Sequence, residues 1–110
     1  MSDDTLYKKS YLNRLGELKE RSPKVAAKFM QFEHEVFNTG TIPPKIKELI
    51  AIAVAHTTGC PYCIEAHVAK YKKLGGTMDE ILEAVTVAAA LKAGAAISHS
   101  VNAINAFERE

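Results

Sequence analysis

The chain has 110 residues, 47% of them hydrophobic and 25% charged, with 14 Lys+Arg against 13 Asp+Glu and a formal net charge of +1. That balance excludes a disordered chain, a fibre and a two-domain enzyme, and it gives no global electrostatic footprint for nucleic acid. A chain this short buries roughly two-thirds of its unfolded surface, which suffices for one core, so a deep pocket would call for a second subunit.

Helix signals run through the whole sequence, and no segment shows the strict alternation of a half-buried strand. The reading is a single all-α domain over residues 1–110, with its core at about 20–107, built from five to six helices and no sheet. The first helix is expected over about residues 6–20, and Ser22 then Pro23 mark the cap and first position of a second that runs to about Asn38. In that second helix Val25, Ala26, Phe29, Met30, Phe32, Val36 and Phe37 recur mainly at three- and four-residue intervals. One face should therefore pack as core, while Lys28, Glu33 and Glu35 face water.

Gly40 and Pro43-Pro44 mark a loop, and a third helix follows over about residues 45–57, apolar nearly all round from Leu49 and so expected at the centre of the fold. Gly59 ends it. Cys60-Pro61 opens a fourth helix with Pro at its first position, Gly75-Gly76 stops it near Leu74, and Lys70, Lys72 and Lys73 complement its carbonyl end. Thr77 and Glu80 form a capping box for a fifth helix through Ile81, Leu82, Val85 and Val87. Seven of the thirteen residues 84–96 are alanine, a density that lets helices approach closely within or between chains, and Gly94 is expected to break the stretch. Ile97, Val101, Ile104 and Phe107 then line a last helix that could pack on a partner subunit.

The amino terminus, MSDDTLYKKS, lacks the apolar region of a signal peptide. The longest unbroken apolar run, residues 49–55, is too short to cross a bilayer. The expectation is a cytoplasmic protein with neither membrane nor nucleic acid as partner. In a reducing compartment a Cys-x-x-Cys pair is redox-active or metal-binding rather than a structural staple.

Cys60, Cys63 and His67 follow at intervals of three and four, which on a helix brings all three side chains to one face. Cys60 lies at the helix amino terminus, where unpaired N–H groups and the positive dipole end stabilise a thiolate. His67, one turn past Cys63, can take a proton from that thiol or give one to a leaving group. Glu48 stands on an otherwise apolar face of the third helix, one turn from Ala51 and Ile52. Buried there it is a proton-relay partner for a histidine; solvated there it is an ordinary first-turn Glu. A thioredoxin would carry such a motif after a strand, whereas here a helix precedes it.

The stretch Glu48-Leu49-Ile50-Ala51-Ile52-Ala53-Val54-Ala55, then Gly59-Cys60-Pro61-Tyr62-Cys63, then Ala66-His67, resembles the signature of the carboxymuconolactone decarboxylase superfamily, in its alkylhydroperoxidase D-like branch. The order of helices over about residues 20–107 resembles it too. The resemblance implies an all-helical fold assembled as a homo-trimer or homo-hexamer. It also implies an antioxidant peroxidase-type oxidoreductase without cofactor or metal, whose dithiol, Cys60 and Cys63, reduces hydroperoxides or small disulfides with a proton relay through Glu48 and His67. The reductant would be a dithiol or lipoyl-type group. One departure stands at Tyr62, where the best-known branch member has a histidine, and a phenol is a poor base at neutral pH. The lactone chemistry that names the superfamily does not carry over.

The mechanism expected is attack by Cys63 on the peroxide and resolution by Cys60. Other readings stay open: a non-peroxide disulfide exchanger, or a small helical assembly protein whose motif is inert or holds Zn²⁺ through Cys60, Cys63, His67 and Glu48 or His56. His34 reads as a surface or subunit-contact residue, His56 as a helix-end charge, His99 as structural, and Tyr62 as packing over the motif.

Overall fold

The computed structural model describes residues 7–38 and 40–109, and within them every regular element is helical. A 3-10 turn, Lys9–Arg14, leads into α1 (Leu15–Arg21), followed by α2 (Pro23–Asn38), α3 (Pro44–Thr58), α4 (Pro61–Lys73), α5 (Met78–Ser98) and α6 (Ser100–Glu108). The first helix thus differs from expectation, being split, and Leu6 lies outside the described residues. Neither half has a side-chain cap, and Ser10, Tyr11 and Asn13 are weak helix formers, so the opening turns tighten into 3-10 geometry.

α3 is the axis of the molecule, packed against α4 on one side and α5 on the other. Pro44 at its first turn has a fixed φ suited to the helix, and extended Pro43 leads in. Its far end closes on Gly59 in the left-handed region (φ 71°), with the N–H groups of Gly59 and Cys60 both donating to the Ala55 carbonyl. This Schellman-type stop spares a side chain the αL penalty and turns the backbone directly into α4. The core is small: Ile52, Tyr71 and Ile81 from α3, α4 and α5, with Leu49 and Val68 against them. Gly76 approaches Tyr71 so closely that a Cβ there would lie 2.1 Å from the ring. The capping box at Thr77 and Glu80 is formed reciprocally and fixes the start of α5.

Two further expectations are corrected. Gly94 does not break α5, which continues to Ser98; the surrounding alanines are strong helix formers and outweigh a cost of about 1 kcal/mol for one glycine. The break falls at His99, where the Ser100 hydroxyl donates to the Ile97 carbonyl and Asn102 bonds the His99 ring. The apolar positions of α2 also do not form a core within the chain: only Ala26 is buried, while Val25, Phe29, Met30, Phe32 and Val36 are exposed. The periodicity gave an apolar face, but among the described residues no helix lies over most of it. Residues 89–109 are likewise exposed throughout, Leu91, Ile97, Val101, Ile104 and Phe107 included. The stretch Met78–Glu108 is long and apolar enough to cross a membrane by length and composition. Lys92, near its middle, donates instead to the Thr57 carbonyl at the end of α3.

Candidate active site

The Schellman stop on α3 delivers Cys60 to the N-cap of α4, where its sulfur accepts a hydrogen bond from the Cys63 N–H at 3.2 Å. Pro61 occupies the first helical position, which needs no N–H, and the helix then carries Cys63 one turn in and His67 one turn further. Cys60 and Cys63 are joined by a disulfide, with Cα atoms 5.3 Å apart. The motif is therefore present in its oxidised form.

Glu48 is 5% exposed, buried on the α3 face that meets α4. Its Oε2 lies 2.5 Å from Nδ1 of His67, whose side chain is 13% exposed. A first-turn Glu facing solvent is thus not what the fold makes of this residue. With Nδ1 engaged by the carboxylate, Nε2 is the ring position left to exchange protons, and a buried carboxylate favours that tautomer. The sequence interval of nineteen residues between the two is closed by the packing of α3 on α4.

Beside Cys63 and His67 opens a pocket of about 490 Å³, walled by Val36 and Phe37 of α2, Ile42 of the loop, and Ile50, Ala51 and Val54 of α3. Cys60 is not among its lining residues, so the pocket favours Cys63 over Cys60 as the sulfur that a bound molecule meets. Phe37, read from the sequence as core, stacks instead on the His67 ring, with centroids 5.0 Å apart and planes 23° from parallel. Nothing in its spacing along α2 distinguishes it from Phe29 or Phe32, which point outward. Lys47, also on the pocket wall, donates to the Val36 carbonyl and ties the end of α2 to α3.

The remaining candidates lie apart. His56 bonds the Ile52 carbonyl through Nδ1 at 2.8 Å, at the end of α3. His34 and His99 are exposed and face neither sulfur nor pocket. Tyr62 packs edge-on against Tyr7, with centroids 5.7 Å apart, which places the Tyr7 ring beside the Cys-x-x-Cys turn. The zinc set proposed from spacing is not assembled: its thiols are bonded to each other, and among the described residues no three His, Cys, Asp or Glu side chains converge on a common point.

A helical bundle that presents a Cys-x-x-Cys disulfide beside a buried Glu-His pair defines a class, and the comparisons agree with it. The sequence model of the Carboxymuconolactone decarboxylase family matches residues 23–106. The chain belongs to that family, and the bonded cysteine pair is consistent with its alkylhydroperoxidase D-like branch. It is 41% identical over 90 residues to uncharacterised protein 4 of the cox locus of Paracoccus denitrificans, covering 82% of this chain and 81% of that one. A crystal structure from Methanobacterium thermoautotrophicum superimposes with a TM-score of 0.73 at 30% identity, covering 77% of this chain and 98% of that chain. The apo form of a carboxymuconolactone decarboxylase family protein from Legionella pneumophila gives a TM-score of 0.71 at 30% identity over 91% of this chain and 89% of its own.

Proposed function

We propose that this protein is a cytoplasmic dithiol oxidoreductase that reduces organic hydroperoxides through Cys60 and Cys63. The observation that carries the reading is the disulfide whose Cys63 end lines an apolar pocket beside the Glu48–His67 pair. In the reduced protein the Cys63 thiol gives its proton to Nε2 of His67, and the thiolate attacks the distal peroxide oxygen. The O–O bond breaks; the sulfur becomes a sulfenic acid, and the departing alkoxide takes the proton from His67 to leave as the alcohol. The Cys60 thiol then displaces hydroxide from the sulfenic acid, forming the disulfide and water. A dithiol or lipoyl-type reductant returns both thiols by exchange. Glu48 holds the imidazole and stabilises its charged form while the proton is resident there. Tyr62, paired with Tyr7, takes no part in proton transfer.

The apolar walls suit a substrate with a hydrocarbon body, and they suit an apolar disulfide equally, so disulfide exchange runs through the same sulfur. The working form is a homo-oligomer, supported by the apolar faces of α2, α5 and α6 that stay exposed among the described residues. The deciding test is the intact mass of the reduced, chelator-treated protein before and after a near-stoichiometric dose of cumene hydroperoxide. The expected result is loss of two hydrogens, absent in Cys60→Ser and Cys63→Ser. An unchanged wild-type mass refutes the peroxidase reading.

A further inference from the structure

Phe37 is the one aromatic residue of α2 turned toward the body of the molecule; Phe29 and Phe32 are more than half exposed. It does not belong to the Ile52, Tyr71 and Ile81 core, so core filling does not account for its placement. Its ring covers one face of the His67 imidazole at 5.0 Å and also forms part of the pocket wall next to Cys63. One turn along α4, the Lys70 ammonium lies 6.0 Å from the same ring centroid, so the ring spans two successive turns of the helix that carries the motif.

These contacts act on different freedoms of the imidazole. The hydrogen bond from Nδ1 to Glu48 fixes one edge but leaves the ring free to rock about that contact. A stacked aromatic face opposes the rocking, because tilting breaks the offset stack. With both in place, Nε2 is held to one direction. The same ring sets how much room a bound molecule has between α2 and α3.

We propose that Phe37 is a positioning and specificity-setting residue of the dithiol site: its ring holds His67 in line for proton transfer and limits the bulk of the apolar group admitted beside Cys63. The substrate part of this statement rests on the peroxidase reading; the positioning part does not. The end of α2 that bears Phe37 is tied to α3 by the Lys47 hydrogen bond to the Val36 carbonyl, so wall and imidazole support move together.

The test uses Phe37→Ala, with Phe37→Leu as a variant that keeps most of the volume and Phe37→Tyr as one that keeps the ring. In the oxidised protein, with no peroxide present, NMR of the histidine ring protons should show ring-current shifts at His67. Those shifts should be lost in the Ala and Leu variants, retained in the Tyr variant and unchanged at His34, His56 and His99. In the reduced protein, oxidation by hydrogen peroxide should slow about tenfold in Phe37→Ala and Phe37→Leu, and recover in Phe37→Tyr. The rate for cumene hydroperoxide relative to hydrogen peroxide should rise at least about threefold in Phe37→Ala, as the wall recedes. His67 resonances that stay put in the Ala and Leu variants overturn the positioning role, and an unchanged rate ratio in Phe37→Ala overturns the specificity role. In a wild-type protein inert to both peroxides, which refutes the peroxidase reading and its substrate limit, oxidation of the dithiol by a small disulfide that slows about tenfold in Phe37→Ala and Phe37→Leu upholds the positioning role, and an unchanged rate overturns it.

Discussion

Replacing Leu91 and Ile97 together by Glu is expected to convert a homo-oligomer into folded single chains of 12.0 kDa. One chain presents 8893 Å² to solvent, where a compact monomer of its mass presents about 6,000 Å². Its radius of gyration is 18.5 Å, where about 13 Å is usual for this length. The excess area, more than about 2,000 Å², exceeds the roughly 800 Å² per partner of a standard interface and falls in the obligate class. Leu91 and Ile97 are 66% and 72% exposed, so covering what remains of each is worth about 1–2 kcal/mol per chain. Glu at either place reverses the sign by carrying a carboxylate into the contact. Lipid is the poorer cover for this face, because Lys92 lies near its middle and is tied to Thr57. The assay is size exclusion with light scattering, run with circular dichroism to establish that the helices persist. Wild-type protein should have a mass that is a multiple of 12.0 kDa, three or six by resemblance to the family, and the double variant should have one. A well-folded wild-type monomer at micromolar concentration, or a double variant with wild-type mass, refutes the reasoning.

His67→Ala should slow peroxide-dependent disulfide formation by roughly 10², and Glu48→Gln should fall between it and wild type, since the amide keeps the hydrogen bond and loses the charge; stopped-flow oxidation of the reduced protein reads both. Thr77→Ala removes the acceptor for the Glu80 N–H and should cost about 1 kcal/mol in chemical denaturation. Gly76→Ala forces a methyl group into the Tyr71 ring and should cost about 1–3 kcal/mol in the same assay. Burial, followed by the hydrogen bond and charge of Glu80, holds the Tyr71 phenol above its ordinary value of 10.0. The folded state then keeps a proton that the unfolded chain loses, so stability is complete below pH 10 and falls as pH rises beyond it. Glu80 moves the other way, lowered below 4.5 chiefly by the backbone hydrogen bond from Thr77 and then by the Tyr71 hydroxyl. Its contribution is present above that value and lost as pH falls below it. Tyr71→Phe should flatten the alkaline limb, and melting temperature across pH 9–12 is the measurement. An alkaline limb that persists in Tyr71→Phe contradicts the assignment.

Local chemistry explains why so much of the fold was legible. Gly59, Pro61, Gly75-Gly76 and the Thr77–Glu80 box act through backbone geometry and neighbouring hydrogen bonds, so they mark the end of α3, both ends of α4 and the start of α5 within a residue or two of where they are observed. The misreadings lie where one local preference met several opposing ones. Gly94 stayed helical among alanines, and the uncapped start near Ser10 tightened into 3-10 turns. The apolar face of α2 was read correctly as a face, but which surface it meets is not a property of α2.

For the site, the sequence alone determined the Cys60, Cys63 and His67 array, because helix periodicity and a proline at the first position fix their order along α4. Tertiary structure decided the rest. Whether Glu48 is a solvated first-turn residue or a buried partner of His67 depends on how α3 lies against α4, since only their packing brings a carboxylate to an imidazole nineteen residues away. The stacking of Phe37 on that imidazole and the opening of the pocket toward Cys63 come from the angle at which the end of α2 meets α3. Such contacts join residues that are neighbours in space and strangers in sequence. Periodicity records which side of a helix is apolar, and packing alone selects what that side touches.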